Sequence, residues 1–135
     1  MRVIALDYGS ARCGVAVSDP TGVLATPIDP VPDPAGRRGM GRLVALAREL
    51  GAERVVVGLP LSLSGADSQQ TREARDFAAL LQRRLGAIPV ELYDERFTTV
   101  LAQRGTRGGG GSRTSEDSRA AAHLLAGWLE RSERA

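Results

Sequence analysis

The residues best suited to chemistry in this chain are carboxylates. Asp7 ends the apolar run Val3-Ile-Ala-Leu6, Asp94 and Glu95 end the stretch that begins at Pro89, and Asp117 opens the last helical pattern. An apolar run too short for a helix and rich in branched residues reads as a strand. A carboxylate closing such a strand is costly unless something there takes its charge. No proline follows Asp7 to make a turn, and no helix starts there for it to cap. In open α/β sheets ligands gather at the carboxyl ends of the strands. If the first and fifth strands run parallel, Asp7 shares an edge with Asp94 and Glu95. Positions 117, 121, 124, 125 and 128 fall on one helical face, and the last four are Ala, Leu, Leu and Trp. That face packs inward, so Asp117 belongs on the core side of the helix start. Three converging carboxylates without a histidine or cysteine cluster suit a hard cation, Mg²⁺ or Mn²⁺. In a two-metal site such ions activate water and stabilise the leaving oxygen of a phosphodiester.

Plainer roles compete with these. Asp117 lies three residues after Thr114 and could complete a capping box, so both readings stay open. Asp94 could pair with Arg96 at the surface. Asp19, in Asp-Pro-Thr-Gly22, has the signature of a type I turn. Arg12 and Arg96 could neutralise phosphate, although Arg12 also fits a solvated turn. Tyr8, Tyr93 and Phe97 flank the acids and could stack on bases; packing is the alternative. His123, the one histidine, lies beside the inward stripe of the last helix. Cys13 reads as a small packed residue rather than a nucleophile.

The elements that must position these groups follow from pattern. A hairpin joins a strand at Val3–Leu6 to one at Val15–Val17, and the turn at Asp19 leads to a third strand over Val23–Ile28. Residues 29–36 are a proline-rich connector without regular structure. A helix is predicted over Arg38–Leu50, ended by Gly51. Arg54–Pro60 is apolar on both faces, as a central parallel strand requires. Residues 61–66 form a loop. Asp67, with Gln70 reaching back, caps a helix whose stripe is Ala74, Phe77, Ala78, Leu81 and Leu85. Residues 89–95 form a fifth strand, 98–104 a short helix, and Gly105–Arg113 a mobile glycine-rich loop. The last helix spans Ser115–Arg131. The prediction is therefore an α/β chain: three antiparallel strands, then βα units, giving a mixed five-stranded sheet flanked by helices.

The totals bound the class. A length of 135 residues suits one domain, residues 1–135, with no internal repeat. Apolar content of 42% and charged content of 25% are ordinary for a globular protein. All 18 basic residues are arginine, the forked donor that suits phosphate, while a net charge of +2 says little about partners. One cysteine excludes an internal disulfide and fits a reducing cytoplasm. No apolar run reaches membrane-spanning length, and Asp7 interrupts the N-terminus before a signal peptide could form.

Three segments, Leu6-Asp-Tyr-Gly-Ser-Ala-Arg-Cys-Gly-Val-Ala-Val-Ser-Asp-Pro20, Val56-Val-Gly-Leu-Pro-Leu61 and Asp94-Glu-Arg-Phe-Thr-Thr99, together with Asp117 ahead of Ala120-Ala-Ala and Leu124-Leu, resemble the YqgF (RuvX) family of bacterial RNase H-like proteins. That family is described as Holliday junction resolvases and pre-16S rRNA nucleases. The resemblance runs from Val3 to Leu129. It implies an RNase H-like fold and a divalent-metal nuclease, with Asp7, Glu95 (in preference to Asp94) and Asp117 as catalytic and metal-binding acids. Asp94 stays a candidate ligand, and Arg12, Arg96, Thr98, Thr99 and Arg113 are candidate nucleic-acid contacts. The implied role is trimming the 5′ end of pre-16S rRNA in ribosome biogenesis, in the cytoplasm. Branched DNA is the alternative substrate, with a homodimer expected for a two-fold junction and a monomer for RNA. The ribosome is a possible partner. The family's basic segment before the last helix is represented here by Gly105–Arg113, with two arginines. Two other classes remain. Asp-x-Gly-Ser also resembles the first phosphate loop of the actin, Hsp70 and sugar-kinase superfamily, but those proteins clasp nucleotide between two domains. A binding module that has lost hydrolysis is the non-enzymatic reading, and retention of all three acids opposes it.

Overall fold

The computed structural model describes residues 1–60, 68–95 and 116–134. Strands β1 (Val3–Asp7), β2 (Arg12–Ser18), β3 (Ala25–Pro32), β4 (Arg54–Leu59) and β5 (Val90–Asp94) form one sheet in the order β3-β2-β1-β4-β5. β2 is antiparallel to β1 and β3, whereas β4 is parallel to β1 and β5. This is the predicted mixed sheet. β1 and β5 both run parallel to β4, so their carboxyl ends share an edge.

Helices α1 (Arg37–Glu49) and α2 (Gln69–Leu85) cover one face and α3 (Glu116–Arg134) the other. Strand alternation divides the core. Ile4, Leu6, Val55 and Val57 meet Met40, Leu43, Phe77 and Leu81, while Val3, Ala5 and Val56 meet Ala121, Leu124, Leu125 and Trp128. β1 and β4 are thus buried on both faces, as their apolar sequence requires. Gly51, at φ 64°, ends α1 in the left-handed conformation that favours glycine.

Several boundaries differ from expectation. β2 starts at Arg12, not Val15, and α3 continues to Arg134, not Arg131. β3 starts at Ala25, not Val23, because the Asp19 carboxylate accepts the N–H groups of Val23 (2.8 Å) and Leu24 (2.7 Å), leaving both residues in the turn. β3 also continues to Pro32, through residues expected to be irregular. It is an edge strand, and prolines 27, 30 and 32 are tolerated where an outward N–H would have no ladder partner. The α2 cap is Ser68, whose Oγ accepts from the Thr71 N–H at 3.2 Å. The expected cap Asp67, the loop 61–66, the short helix over 98–104 and the glycine-rich segment 105–113 lie outside the described residues.

Candidate active site

Three elements that are remote in sequence deliver one carboxylate each. Asp7 is the last residue of β1, and the odd positions 3, 5 and 7 face α3. On β5 the same alternation turns Glu91 and Tyr93 towards α3, with Glu91 Oε2 accepting from Trp128 Nε1 at 2.9 Å. Glu95 continues that series, and Asp94 falls on the opposite face. Glu95 then reaches across β4. Its Oε1 lies over Gly58, only 2.6 Å from where a β-carbon would stand. Gly58 is therefore the opening through which a fifth-strand acid meets a first-strand acid.

Asp117 arrives from above. Gly14 on β2 is the register partner of Asp7. The Asp117 carbonyl sits so close to Gly14 that any β-carbon there would overlap it. Next to this contact the pairing of β2 with β3 shifts register between Cys13 and Val15, where β3 carries one extra residue opposite Gly14, and the buried Ser118 Oγ accepts the Val15 N–H at 3.2 Å. The bulge and the missing side chain let the start of α3 settle onto the sheet edge.

The electrostatic result is carried by Asp7. Burial, a hydrogen bond to the Glu95 side chain and the nearby charges of Glu95 and Asp117 push its pKa from 3.8 to about 8. Asp7 thus holds a proton near neutral pH and donates it towards Glu95. Arg12 Nε stands 3.5 Å from Asp117 Oδ2, with both side chains well exposed. Asp117 thus has an exposed side chain between an arginine and the acidic pair, not the core-facing one expected. Among the described residues, no three His, Cys, Asp or Glu side chains are close enough to hold a metal ion as they stand. Their chemistry nevertheless fits one, since all three acids offer only hard oxygen donors around a charge that protonation of Asp7 now relieves.

A cleft of about 250 Å³ opens beside Asp7, lined by Tyr8, Gly9, Ser10, Pro60, Gln70 and Glu73. The Tyr8 ring stacks on Phe77 at 4.6 Å between centroids, and Tyr93 is buried under α3. Both rings pack. Burial first, then Arg119, lowers the pKa of His123, which is half-buried on α3. Burial pushes the Cys13 thiol up, and that side chain is fully enclosed. Asp19 is a turn residue, held in its charged form mainly by Thr21 and by the N–H groups of the turn. Arg96, Phe97, Thr98, Thr99, Arg113 and Thr114 lie outside the described residues. Sequence reasoning overlooked Gly14, Gly58 and Ser118. A glycine inside a strand pattern is a signal of close approach that could have identified the first two.

The sequence model described as "RuvX: Holliday junction resolvase" matches residues 1–131. The chain belongs to the RuvX family. A Thermobifida fusca protein named "Putative pre-16S rRNA nuclease" is 45% identical over 145 residues, covering 97% of this chain and 88% of its own. A Rhodococcus erythropolis protein of the same name is 45% identical over 143 residues, covering 99% and 80%. By these names the RuvX family is one of nucleases, and this member is an enzyme of that kind. The fold is RNase H-like. Thermus thermophilus RuvC in complex with a Holliday junction superposes with a TM-score of 0.64 at 16% identity, covering 98% of this chain and 96% of that one. A fowlpox virus resolvase bound to junction DNA gives 0.59 at 10% identity, covering 97% and 98%.

Proposed function

We propose that this RuvX protein is a divalent-metal-dependent nuclease that trims the 5′ end of pre-16S rRNA in the cytoplasm. The observation that carries the reading is the convergence of acids from β1, the end of β5 and α3 on one sheet edge, where burial first, then the hydrogen bond to Glu95 and the charges of Glu95 and Asp117, raises the pKa of Asp7. Asp7, Glu95 and Asp117 would hold Mg²⁺ or Mn²⁺. When bound, such an ion supplies an activated water and charge stabilisation at the leaving oxygen. To hold such an ion Asp7 would have to be ionised, without the proton it shares with Glu95, so that both carboxylates could serve as ligands. Asp117 keeps Arg12 at the site, where a guanidinium favours a phosphate oxygen. Asp94 faces away from this group and is at most an outer ligand. Arg96, Thr98, Thr99 and Arg113 remain candidate substrate contacts.

The choice of RNA rests on the names of the relatives that share nearly half of this sequence. Junction DNA is the second reading, favoured by the description of the matching family. The test is cleavage of an end-labelled precursor-rRNA leader beside a four-way DNA junction, with Mg²⁺ or Mn²⁺, by wild type and Asp7→Asn. The expected result is site-specific RNA cleavage that falls on the order of 10³-fold in Asp7→Asn, matching several kcal/mol of lost transition-state stabilisation. Cleavage of the junction alone would assign the second reading. Undiminished cleavage by a folded Asp7→Asn protein would remove these acids from the chemistry.

A further inference from the structure

An edge crowded with acids repels the polyanion it must receive, so grip has to come from elsewhere. α1 and α2 carry eight exposed arginines, at 37, 38, 42, 48, 72, 75, 83 and 84, against three acids, Glu49, Glu73 and Asp76. The whole chain sums to only +2, so this layer is more positive than the molecule. Topology decides which arginines lie near the acids. β3 runs parallel to β1, and its last residue, Pro32, pairs with Arg12. The Asp33 N–H then donates to the Ala11 carbonyl at 2.9 Å. α1 therefore starts beside Arg12, with Arg37 and Arg38 in its first turn and no acid there. Arg48, Arg83 and Arg84 lie at the far ends of their helices, where Arg48 bonds the Arg84 carbonyl at 3.1 Å.

Between β3 and α1 runs a groove of about 450 Å³, with Ile28, Val31 and Leu46 among its walls and Arg38 and Arg42 along its length. Asp29 on the strand and Asp33 in the turn between β3 and α1 are the acids beside it. β3 is an open sheet edge, but its prolines remove the donors that an added peptide strand would need. The occupant is therefore better matched by phosphate charge and flat apolar rings than by a β-strand.

We infer that this groove is the substrate's track. A nucleic-acid strand leaving the acidic edge passes Arg12 and follows the groove, with its phosphates on Arg37, Arg38 and Arg42 and its sugars and bases against the apolar wall. The inference rests on the nuclease reading above, yet it concerns binding and is measured apart from cleavage. The experiment compares Asp7→Asn protein with the same protein carrying Arg37→Gln, Arg38→Gln and Arg42→Gln. Fluorescence anisotropy is recorded with single-stranded RNA and with single-stranded DNA across a salt series in Mg²⁺. The triple substitution should weaken binding about tenfold or more at low salt and flatten the slope of log K against log salt by roughly 2, the single-strand value for three lost phosphate contacts. RNA and DNA should lose alike, because phosphate is common to both. Lysine at the same three positions should restore most of the affinity. Arg83→Gln with Arg84→Gln should change affinity less than twofold. An unchanged slope in a folded triple variant, or an equal loss from the far-end pair, would overturn the track. Failure of the wild-type protein to cleave either substrate with Mg²⁺ or Mn²⁺ would instead overturn the nuclease reading and leave the track standing.

Discussion

The helix on one face of the sheet, α3, carries Asp117 and presses its first turn onto Gly14, with no β-carbon between them. On the other face, α1 has a comparable glycine contact, Gly39 against the Asp33 backbone of the turn before it, but α1 and α2 meet the sheet itself through side chains and spend their outer surfaces on arginine. α3 has four acids and three arginines, and α1 with α2 has three acids and eight arginines. The two faces thus divide the work. One fixes a carboxylate close to the sheet edge, which requires close backbone approach. The other offers positive charge, which tolerates flexible and solvated side chains. Precision comes from glycine and burial, attraction from long exposed side chains.

The contrast is broken most severely at Gly14. Gly14→Ala drives a methyl group into the Asp117 backbone, which cannot yield without lifting α3. The expected loss is about 3 kcal/mol of stability, at the upper end for overpacking, with loss of cleavage. Urea unfolding measures it, and a loss under 1 kcal/mol would show that α3 is not seated there. Next comes Asp7 itself in chelated, metal-free protein. Its folded pKa of about 8 lies above the ordinary 3.8, so between these values the native state binds more protons than the unfolded one. The stabilisation tied to that proton is fully present below about pH 4 and is lost as pH rises through about 8. Asp7→Asn removes the buried acid and should raise metal-free stability at pH 8 by on the order of a few kcal/mol. Melting curves at pH 5 and pH 8 test this, and identical pH dependence in wild type and variant would refute it. The smallest effect on the fold is expected at Gly58. A β-carbon there meets the far end of the flexible Glu95 side chain and one methyl of Leu124. Gly58→Ala should therefore cost about 1 kcal/mol or less of stability while displacing Glu95 from Asp7. Cleavage should fall roughly 10–100-fold, as expected for a mispositioned group. Equal activity would mean that Glu95 acts from another position.

Much of this architecture was legible in the chain. Alternation and apolar runs marked β1, β4 and the stripes of α1 and α2, because burial on one or both faces leaves a period in sequence. The edge strand was harder to read. Pro27, Pro30 and Pro32 look like connector residues until β3 is known to border solvent. The caps were harder to read, and Ser68 is the residue that bonds the first turn of α2. For the acids, strand ends and a helical stripe singled out Asp7, the Asp94-Glu95 pair and Asp117 as groups that could meet, and only the family resemblance favoured Glu95 over Asp94.

Sequence by itself determined the family, the order of elements and the types of side chain at the strand ends, because these depend on local pattern and on motifs a few residues long. Only the tertiary structure decided that Glu95 crosses Gly58 to bond Asp7, that α3 rests on Gly14, and that Arg12 pairs with the end of β3 and stands beside Asp117. Those facts depend on strand register and on the approach of one backbone to another. Both are set by the packing of the whole sheet, which no single stretch of chain records.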